Sequence, residues 1–361
     1  MVRAVPHFTP TTPDVSVLMV AHDAEKTVRR AVESIQNQTL RNLELVVVDA
    51  GSSDSTLRQL ETMSERDIRV EVVRAGACSR QEGLDLALER ARGTYLTVMD
   101  PDAVARPTML SAMLALASDK SLDLVIGGFT LALFDRGLPL GERVVVSEDV
   151  SYPTQHDFRA DSWRLLASGQ LLPASAKLFS RAWVTSCGAR FSADPQTDHG
   201  FMVDVLRNVE RVGVLSGECY RLDRALAPPR RIGGVPNSYL RLEREHNALL
   251  GLYRGWGLDG DAATMGALQN RYVEQLVACV EEVCGSRTRT GAAEQRRVVS
   301  AMLGTEHARL AVSVARPKGS LVRSMLAPIR SQNVALVCAQ ARLLSLIWHG
   351  RATDMVPDLF V

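Results

Sequence analysis

The stretch Leu45-Val-Val-Val-Asp49-Ala-Gly-Ser-Ser-Asp54-Ser-Thr56, with Tyr95-Leu-Thr-Val-Met-Asp100-Pro-Asp102 further along, decides the fold class. Each begins as a short apolar run, typical of a buried parallel strand, and each delivers aspartates where the strand ends. In open α/β sheets, ligands bind outside the carboxyl ends of the strands. We therefore expect Asp49, Asp100 and Asp102 to face one crevice, where clustered carboxylates indicate a metal ion and a phosphorylated ligand.

Strand and helix patterns alternate around this stretch. Because βαβ units require a parallel sheet with right-handed crossovers, we expect an α/β fold with a mostly parallel sheet flanked by helices. The predicted strands are 15–20, 43–48, 69–73, 94–99 and 122–126, and the predicted helices are 24–36 with Asp23 as N-cap, 55–63, 80–91 and 107–117. From 127 to 172 the periodicity weakens, so we expect irregular structure or hairpins there.

Composition limits the class of protein. The chain has 361 residues, 46% of them apolar, and a formal net charge of +1, which suits a globular protein of about two domains. Its six cysteines form no CxxC pair, so we expect reduced thiols and a cytoplasmic location. Residues 1–13 contain three prolines and do not resemble a signal peptide. No apolar run approaches the ~20 residues of a membrane-spanning helix.

The predicted organisation is an N-terminal tail (1–13), a catalytic domain (14–226) and a helical C-terminal region (227–361). A proline- and glycine-rich linker, 227–236, precedes helical patterns at 239–253 and 268–284. Between His307 and Thr353, basic residues up to Arg351 interleave with apolar ones up to Trp348, and no acidic residue occurs. Two interpretations stay open: helices lying on an anionic membrane surface, or basic helices packing on the domain.

Several motifs in a fixed order carry a resemblance to a known family. They are Val15-Ser-Val-Leu-Met-Val-Ala21, Ser34-Ile-Gln-Asn-Gln-Thr-Leu40, the stretch from Glu44 to Thr56, Ala91-Arg-Gly-Thr-Tyr-Leu96 leading into Asp100-Pro-Asp102, and Ala176-Lys-Leu-Phe179. Over residues 14–222 this set resembles the family 2 glycosyltransferases of the GT-A fold. The resemblance implies inverting transfer of a sugar from a nucleoside diphosphate donor, a UDP-sugar, to an acceptor hydroxyl, assisted by Mg²⁺ or Mn²⁺. It also implies a role in cell-surface polysaccharide or glycoconjugate assembly.

The resemblance makes Asp102 the metal ligand and Asp100 a contact to the ribose or to metal-bound water. In extended chain, residues two apart point to the same side, and Pro101 disfavours the α conformation at Asp100. Mg²⁺ typically takes only one or two protein carboxylates beside phosphates and water. The alternative is a polar loop in which Asp102 helps to cap the helix near Pro107.

The resemblance also assigns donor contacts. Asp49 would accept a hydrogen bond from the nucleotide base, unless it is a turn aspartate bonded to its own backbone. The backbone of Ala21 would meet the base as well. The guanidinium of Arg80 could pair with a phosphate, but a solvated arginine at the start of a helix is the alternative.

Inverting transfer needs a base that removes the acceptor proton. By the resemblance, Asp198 matches the second acid of a Glu-Asp pair that precedes a helix, so it is the candidate base. Thr197 replaces the first acid of that pair. His199 is either a second base or phosphate contact, or a structural histidine beside a helix start.

Further contacts to acceptor or diphosphate are expected nearby. Lys177 either approaches them or lies on the surface, and Tyr220 with Arg221 would close over the donor. The expected partners are a nucleotide-sugar and a glycan or lipid-linked acceptor, and a homo-oligomer is compatible with the sequence. We expect no nucleic-acid partner, because the basic segment lacks aromatic stacking patches.

Two other functions remain open. A catalytically degenerate nucleotide-sugar-binding or scaffold protein would explain Thr197 and the sequence Val20-Ala-His22-Asp23, which stands where the family has Pro-x-Tyr-Asn. A Rossmann-type dinucleotide enzyme is disfavoured because no GxGxxG follows the first strand.

Overall fold

A single mixed sheet with helices on both faces forms the first part of the chain. The computed structural model describes residues 12–135, 137–194, 196–225, 233–286 and 288–347. The strands in these ranges are β1 (Val15–Ala21), β2 (Leu43–Asp49), β3 (Val70–Arg74), β4 (Tyr95–Val98), β5 (Ala103–Ala105), β6 (Leu124–Asp135), β7 (Leu138–Val145), β8 (Val150–Tyr152), β9 (Lys177–Ser180) and β10 (Val212–Ala225). The first seven helices are α1 (Val28–Gln36), α2 (Thr56–Ser64), α3 (Arg80–Arg90), α4 (Met109–Lys120), α5 (Gln155–Ser168), α6 (Arg181–Cys187) and α7 (His199–Arg207).

The strand order is β3-β2-β1-β4-β9-β6-β10-β5. The pairs β3–β2, β2–β1 and β1–β4 are parallel, whereas β9 runs antiparallel to both β4 and β6. Every residue of β1 and β2 is buried, which agrees with the continuous apolar runs of a sheet covered on both faces. Ala21 lies in register with Asp49. The carboxyl ends of β1 and β2 therefore meet at one edge of the sheet, and the expected fold class is confirmed.

The region 127–172 is more regular than expected. A hairpin of β6 and β7 is present, as one of the two expectations had it. A helix was not expected, yet α5 begins after Thr154, whose side chain accepts from the backbone N–H of Asp157, and ends at Gly169 with φ of 89°. The buried face of α5 includes the polar Ser162, and this interruption weakens the apolar stripe that a sequence pattern detects.

The helix after β1 begins later than predicted. Residues 24–27 form a turn, and α1 starts at Val28 after Thr27. Asp23 is therefore not its N-cap, and its backbone is in the left-handed region with φ of 45°. Aspartate tolerates this conformation better than most residues, because its short side chain can bond nearby backbone.

The helices described after the sheet are α8 (Asn237–Gly255), α9 (Ala262–Cys284), α10 (Ala292–Leu303), α11 (Glu306–Val314), α12 (Ser320–Arg330) and α13 (Val334–Ile347). Leu249, Tyr253 and Leu268 belong to the same apolar cluster as Phe158 and the sheet. Each such buried side chain contributes about 1.5–3 kcal/mol relative to exposure. The helical region is thus packed against the sheet domain.

The basic C-terminal helices show features of both open interpretations. On α12, Met325 and Ile329 are buried whereas Arg323 and Arg330 point outward, as in a helix that packs on a core. On α13, Leu336, Leu343 and Leu346 are 49%, 58% and 63% exposed, and these three leucines define the α13 leucine face. None of the described helices is long and apolar enough to cross a membrane.

Several predicted features lie outside the described residues. They are residues 1–11 of the N-terminal tail, residues 226–232 at the domain boundary and linker, and the C-terminal positions that include Trp348 and Arg351.

Candidate active site

A cavity of about 750 Å³ lies at the carboxyl ends of β1, β2 and β4. The charged side chains in its wall include Arg80, Asp100, Asp102 and Arg224. The loop after β1, residues 22–27, forms another side. A crevice of this size at this edge of the sheet suits a small phosphorylated ligand.

The loops after β1 and β2 are joined into one rim. Asp23 Oδ1 accepts hydrogen bonds from the backbone N–H of Ser53 at 2.7 Å and from its hydroxyl at 3.1 Å. In the opposite direction, the N–H of Ala24 donates to Thr56 Oγ1 at 2.7 Å. These crosslinks explain the left-handed backbone at Asp23 and hold one wall of the cavity in place.

The position of Arg80 follows from how α3 begins. Ser79 accepts from the N–H of Glu82, and Glu82 accepts from the N–H of Ser79 at 2.8 Å, which is a capping box. Arg80 is the first residue of the helix. One turn later, a Cβ at Gly83 would lie 2.9 Å from Val20, so this glycine lets α3 approach β1 closely.

Arg80 binds two carboxylates from distant parts of the chain. Its Nη2 donates to Asp100 Oδ1 at 2.9 Å and its Nη1 donates to Asp198 Oδ1 at 2.5 Å. Burial acts to lower the pKa of Arg80, but the charges of Asp198 and Asp100 raise it above its ordinary value. The guanidinium is therefore not a solvated helix-start arginine, and it joins the candidate base to the predicted donor side.

Asp100 is saturated with donors. It is 2% exposed, and its Oδ2 accepts from the hydroxyls of Ser175 and Tyr220, each at 2.8 Å. The backbone N–H of Asp100 donates to the same Tyr220 oxygen at 2.9 Å. Burial alone would raise the pKa of Asp100, but Arg80, Arg224 and these hydroxyls lower it to about 2. Asp100 is thus a fixed anion with its oxygens already bonded.

Asp102 is different, because one of its oxygens is unsatisfied. Its Oδ2 lies 3.5 Å from Arg224, whereas Oδ1 is buried and has no hydrogen-bond partner among the described residues. Burial raises the pKa of Asp102 to about 6, Arg224 opposes this rise and Asp100 adds to it. The helix after it, α4, starts at Met109 without a side-chain cap, so Asp102 does not cap it.

Asp102 meets the donor requirement of a divalent cation. Within the described ranges, no three His, Cys, Asp or Glu side chains lie together as a complete metal site. Mg²⁺ does not need one, since it commonly binds one or two carboxylates together with substrate phosphates and water. The unsatisfied Oδ1 of Asp102 fits that donor set, whereas each oxygen of Asp100 already accepts at least one short hydrogen bond.

Asp49 is bonded as a turn aspartate through one oxygen, whereas its other oxygen has no partner among the described residues. Its Oδ2 accepts from the backbone N–H groups of Gly51 and Ser52 at 3.3 and 3.2 Å, as a turn aspartate does. Its Oδ1 is buried without a hydrogen-bond partner in the described part of the chain. Ala21 is buried within β1, and its carbonyl accepts from Ala50 at 2.9 Å. The base contacts predicted for both residues stay predictions.

Asp198 stands directly before α7, as expected for the candidate base. It is 3% exposed, and its carbonyl accepts from the N–H of Met202 at 2.9 Å. Thr197, in the place of the family's first acid, is buried, and its hydroxyl accepts from the N–H of His199 at 3.1 Å. Thr197 therefore serves the start of the helix.

His199 pairs with a residue of the C-terminal helices. Its Nδ1 lies 2.7 Å from Glu245 Oε1, and both side chains are almost completely buried. Arg271 donates to the other oxygen of Glu245 at 3.1 Å. Burial would raise the pKa of Glu245, but His199 and Arg271 hold it well below the usual value. This placement supports the structural alternative for His199 rather than a contact to base or phosphate.

Lys177 is not a surface lysine. It is 1% exposed, and its Nζ donates to the carbonyl of Gln170 at 2.6 Å and to that of Pro173. Burial lowers its pKa to about 7. The ammonium supports the chain before β9, and it does not line the cavity.

Tyr220 and Arg221 of β10, which were expected to close over the donor, do not line the cavity, whereas Arg224 of the same strand does. Tyr220 is completely buried beneath Asp100, so it does not close over a donor. Arg221 does not line the cavity; it pairs with Glu142 at 3.2 Å and with Asp223, a lining residue, at 3.0 Å. Sequence reasoning missed Arg224. Strand alternation places residues 220, 222 and 224 on one face, and this parity could have found it.

Comparisons with known proteins agree with this geometry. Residues 16–139 match the model of the family described as "Glycosyl transferase family 2". The uncharacterized glycosyltransferase EpsJ of Bacillus subtilis (strain 168) is 23% identical over 257 residues, which are 69% of this chain and 72% of EpsJ. The putative teichuronic acid biosynthesis glycosyltransferase TuaG of the same strain is 28% identical over 144 residues, 39% of this chain and 56% of TuaG.

Among solved structures, S. aureus TarS 1-349 in complex with UDP-GlcNAc superposes with a TM-score of 0.58. The superposition covers 91% of this chain and 90% of that one, at 16% identity, and so concerns the fold. Residues 16–139 are thus similar to glycosyl transferase family 2, and the superposition shows that the chain has a GT-A fold with a helical C-terminal region.

Proposed function

We propose that this chain transfers a sugar from a UDP-sugar to an acceptor hydroxyl with inversion at the anomeric carbon. The observation that carries the proposal is the double ion pair of Arg80 with Asp100 and Asp198. A single guanidinium thus contacts both the candidate base, Asp198, and Asp100 at the carboxyl end of β4. A displacement needs its base and its leaving-group site this close together.

The donor would bind across the rim made by the loops after β1 and β2. Asp49 Oδ1 supplies an unused buried acceptor for an N–H of the base, and a buried acceptor without a partner costs free energy until it is satisfied. The UDP-GlcNAc bound by TarS, which shares the fold, supports a UDP-sugar as donor.

The divalent cation, Mg²⁺ or Mn²⁺, would be held by Asp102. When bound, it supplies positive charge that stabilises the diphosphate as it leaves. Asp100, held by Tyr220 and Ser175, would position the loop and contact the ribose or metal-bound water. Arg80 would keep its two ion pairs and hold Asp100 and Asp198 in place beside the bound donor.

Asp198 would act as the base. In the proposed step its carboxylate removes the proton of the acceptor hydroxyl, whose oxygen forms a bond to the anomeric carbon while the bond to the diphosphate breaks. Attack from the side opposite the leaving group inverts the configuration. A positioned general base of this kind typically contributes 10²–10⁴-fold in rate.

The acceptor is proposed to be a glycan or a lipid-linked glycan of the cell surface. The printed name of TuaG, which refers to teichuronic acid biosynthesis, supports this class. The six cysteines are all free thiols, which supports a reducing, cytoplasmic location. The α13 leucine face, on a helix among outward-pointing arginines, would allow peripheral contact with an anionic membrane.

A second function, a degenerate nucleotide-sugar-binding protein, rests on Thr197. A hydroxyl that bonds the N–H of His199 stands where the family has an acid, so one of the two expected carboxylates is missing. This protein would bind the donor but would not transfer its sugar.

Calorimetric binding of UDP-sugars, combined with the release of UDP in the presence of membrane glycan acceptors, tests both functions. We expect Asp198→Asn to keep donor affinity and lose UDP release by about 10²-fold or more. Asp102→Asn should lose the part of donor binding that requires Mg²⁺ or Mn²⁺. The matched control is Asp204→Asn, since Asp204 lies on the same helix but pairs with Arg207 at the surface.

Release of UDP at the wild-type rate by Asp198→Asn would contradict the role of the base. Donor binding by the wild type without any UDP release would support the degenerate alternative.

A further inference from the structure

Of the two described arginines that line the cavity, Arg224 has the weaker hold on its protein partners. We infer that Arg224 binds the diphosphate of the donor directly, and that it exchanges Asp100 and Asp102 for phosphate oxygens when the donor enters. This inference rests on the proposed function, because it concerns a ligand of the same cavity.

The geometry of Arg224 makes this exchange feasible. Its Nε lies 3.5 Å from Asp102 Oδ2, and its Nη2 lies 3.8 Å from Asp100 Oδ1. Both distances exceed the 2.7–2.9 Å of a charge-assisted hydrogen bond. The Nε atom is buried and has no hydrogen-bond partner among the described residues. An arginine N–H group is therefore available beside the two aspartates.

A comparison with Arg80 shows which cation can change partners. Arg80 uses two of its nitrogens in bonds of 2.5 and 2.9 Å with Asp198 and Asp100. Among the described residues, Arg224 contacts only Asp100 and Asp102, both at the long distances given above. Its side chain is 26% exposed and lines the cavity. Moving Arg224 breaks no short hydrogen bond in the described structure, whereas moving Arg80 breaks two.

The carboxylates of Asp100 and Asp102 disfavour an anion near Arg224 until a cation offsets their charge. Asp102 would carry the cation on the oxygen that Arg224 does not face. A planar guanidinium can give two parallel N–H groups to one phosphate, which a lysine cannot do. The hydrogen bonds of Arg224 to the diphosphate would then not pass through the metal ion.

Strand β10 supplies a matched control. Arg221, three residues earlier, is also an arginine in ion pairs, with Asp223 and Glu142; its own side chain does not line the cavity, although that of Asp223 does. Replacing either arginine by glutamine removes one positive charge from the same strand. Only the replacement of Arg224 should affect a ligand in the cavity.

The test is titration calorimetry of UDP, inorganic pyrophosphate and uridine with the full chain, in EDTA and again in Mg²⁺. We expect Arg224→Gln to weaken UDP and pyrophosphate at least about tenfold under both conditions, the effect of losing a hydrogen bond to a charged group. Uridine binding should not change, and Arg221→Gln should bind all three ligands like the wild type. Arg224→Lys should bind UDP with intermediate affinity, since lysine keeps the positive charge but lacks the two parallel N–H donors of a guanidinium.

Three results would overturn the inference. Arg224→Gln that binds UDP as tightly as the wild type would show that the guanidinium does not contact the diphosphate. If Arg224→Gln lost affinity for UDP in Mg²⁺ but not in EDTA, Arg224 would act only by positioning Asp102. A wild-type chain that binds pyrophosphate and uridine but not UDP, or none of the three, would refute the proposed function itself.

Discussion

Tyr220→Phe should destabilise the protein far more than a tyrosine-to-phenylalanine change elsewhere in its core. The Tyr220 hydroxyl donates to the carboxylate of Asp100 and accepts from the backbone N–H of the same residue. Both groups are completely or almost completely buried. Removing one oxygen atom therefore takes one hydrogen bond from the carboxylate, which keeps those from Ser175 and Arg80, and deprives the buried N–H of the partner it has in the structure.

The magnitude follows from these two bonds. A hydrogen bond to a charged group contributes about 1.5–3 kcal/mol, and a buried N–H left without a partner costs about 1–3 kcal/mol. We expect Tyr220→Phe to lower the free energy of unfolding by about 3–5 kcal/mol. Tyr253 is the matched control, because it is equally buried but its hydroxyl only accepts one neutral bond, from Ser162 at 3.1 Å. Tyr253→Phe should cost about 0.5–1.5 kcal/mol.

Urea unfolding followed by circular dichroism at pH 7 measures both values under identical conditions. UDP release by the folded variants, measured in the absence of urea, adds a functional readout. We expect it to fall in Tyr220→Phe and to stay at the wild-type level in Tyr253→Phe. Equal destabilisation of the two variants would refute the reasoning, since it would mean that the Tyr220 hydroxyl does not hold Asp100.

Three further predictions concern stability and membranes. Glu245→Gln leaves buried cations without a counter-ion and should lower the free energy of unfolding by about 3–5 kcal/mol at pH 7. Because folding lowers the pKa of Glu245 from its usual 4.5, this difference between wild type and variant should persist above pH 4.5 and shrink as the pH falls below 4.5. Burial lowers the pKa of Lys177 from 10.5 to about 7, so the unfolded chain binds more protons between these values. The stability of the wild type relative to Lys177→Met should then rise by about 1.4 kcal/mol per pH unit in urea titrations from pH 7 to 10. Flotation with anionic phosphatidylglycerol vesicles should decrease several-fold in Leu343→Gln/Leu346→Gln but not in Ile68→Gln, whose side chain is also fully exposed; unchanged flotation of the double variant would argue against a membrane role for α13.

Much of the sheet could be predicted from the sequence because its strands are short apolar runs between clear turns. β1 is the predicted strand 15–20 with one residue added, and α3 is the predicted helix 80–91 with one residue removed. Periodicity was insufficient where a polar residue interrupts a buried face, as Ser162 does in α5. The cap at Thr154 and the glycine at 169 were the available signals for that helix.

The site could be predicted in part, for a physical reason. Aspartates at the ends of parallel strands must lie near one another, so Asp100, Asp102 and the cavity were within reach of sequence reasoning. Which face of the sheet a side chain occupies depends on strand register, and this register determines that Arg224, and not Arg221, lines the cavity. Whether a polar side chain is buried depends on distant segments, which is why Lys177 and Tyr220 lie in the protein interior rather than over the cavity.

The ion pair between His199 and Glu245 has a consequence for how this chain could be recombined with its relatives. The helix that starts after the candidate base receives a buried carboxylate from the C-terminal helices, and Arg244 adds a bond of 2.6 Å to Gln196 just before it. A chimera that replaced the C-terminal helices would leave His199 against a foreign side chain. The C-terminal region is therefore not an exchangeable module, and inheritance of position 199 should be tied to inheritance of position 245.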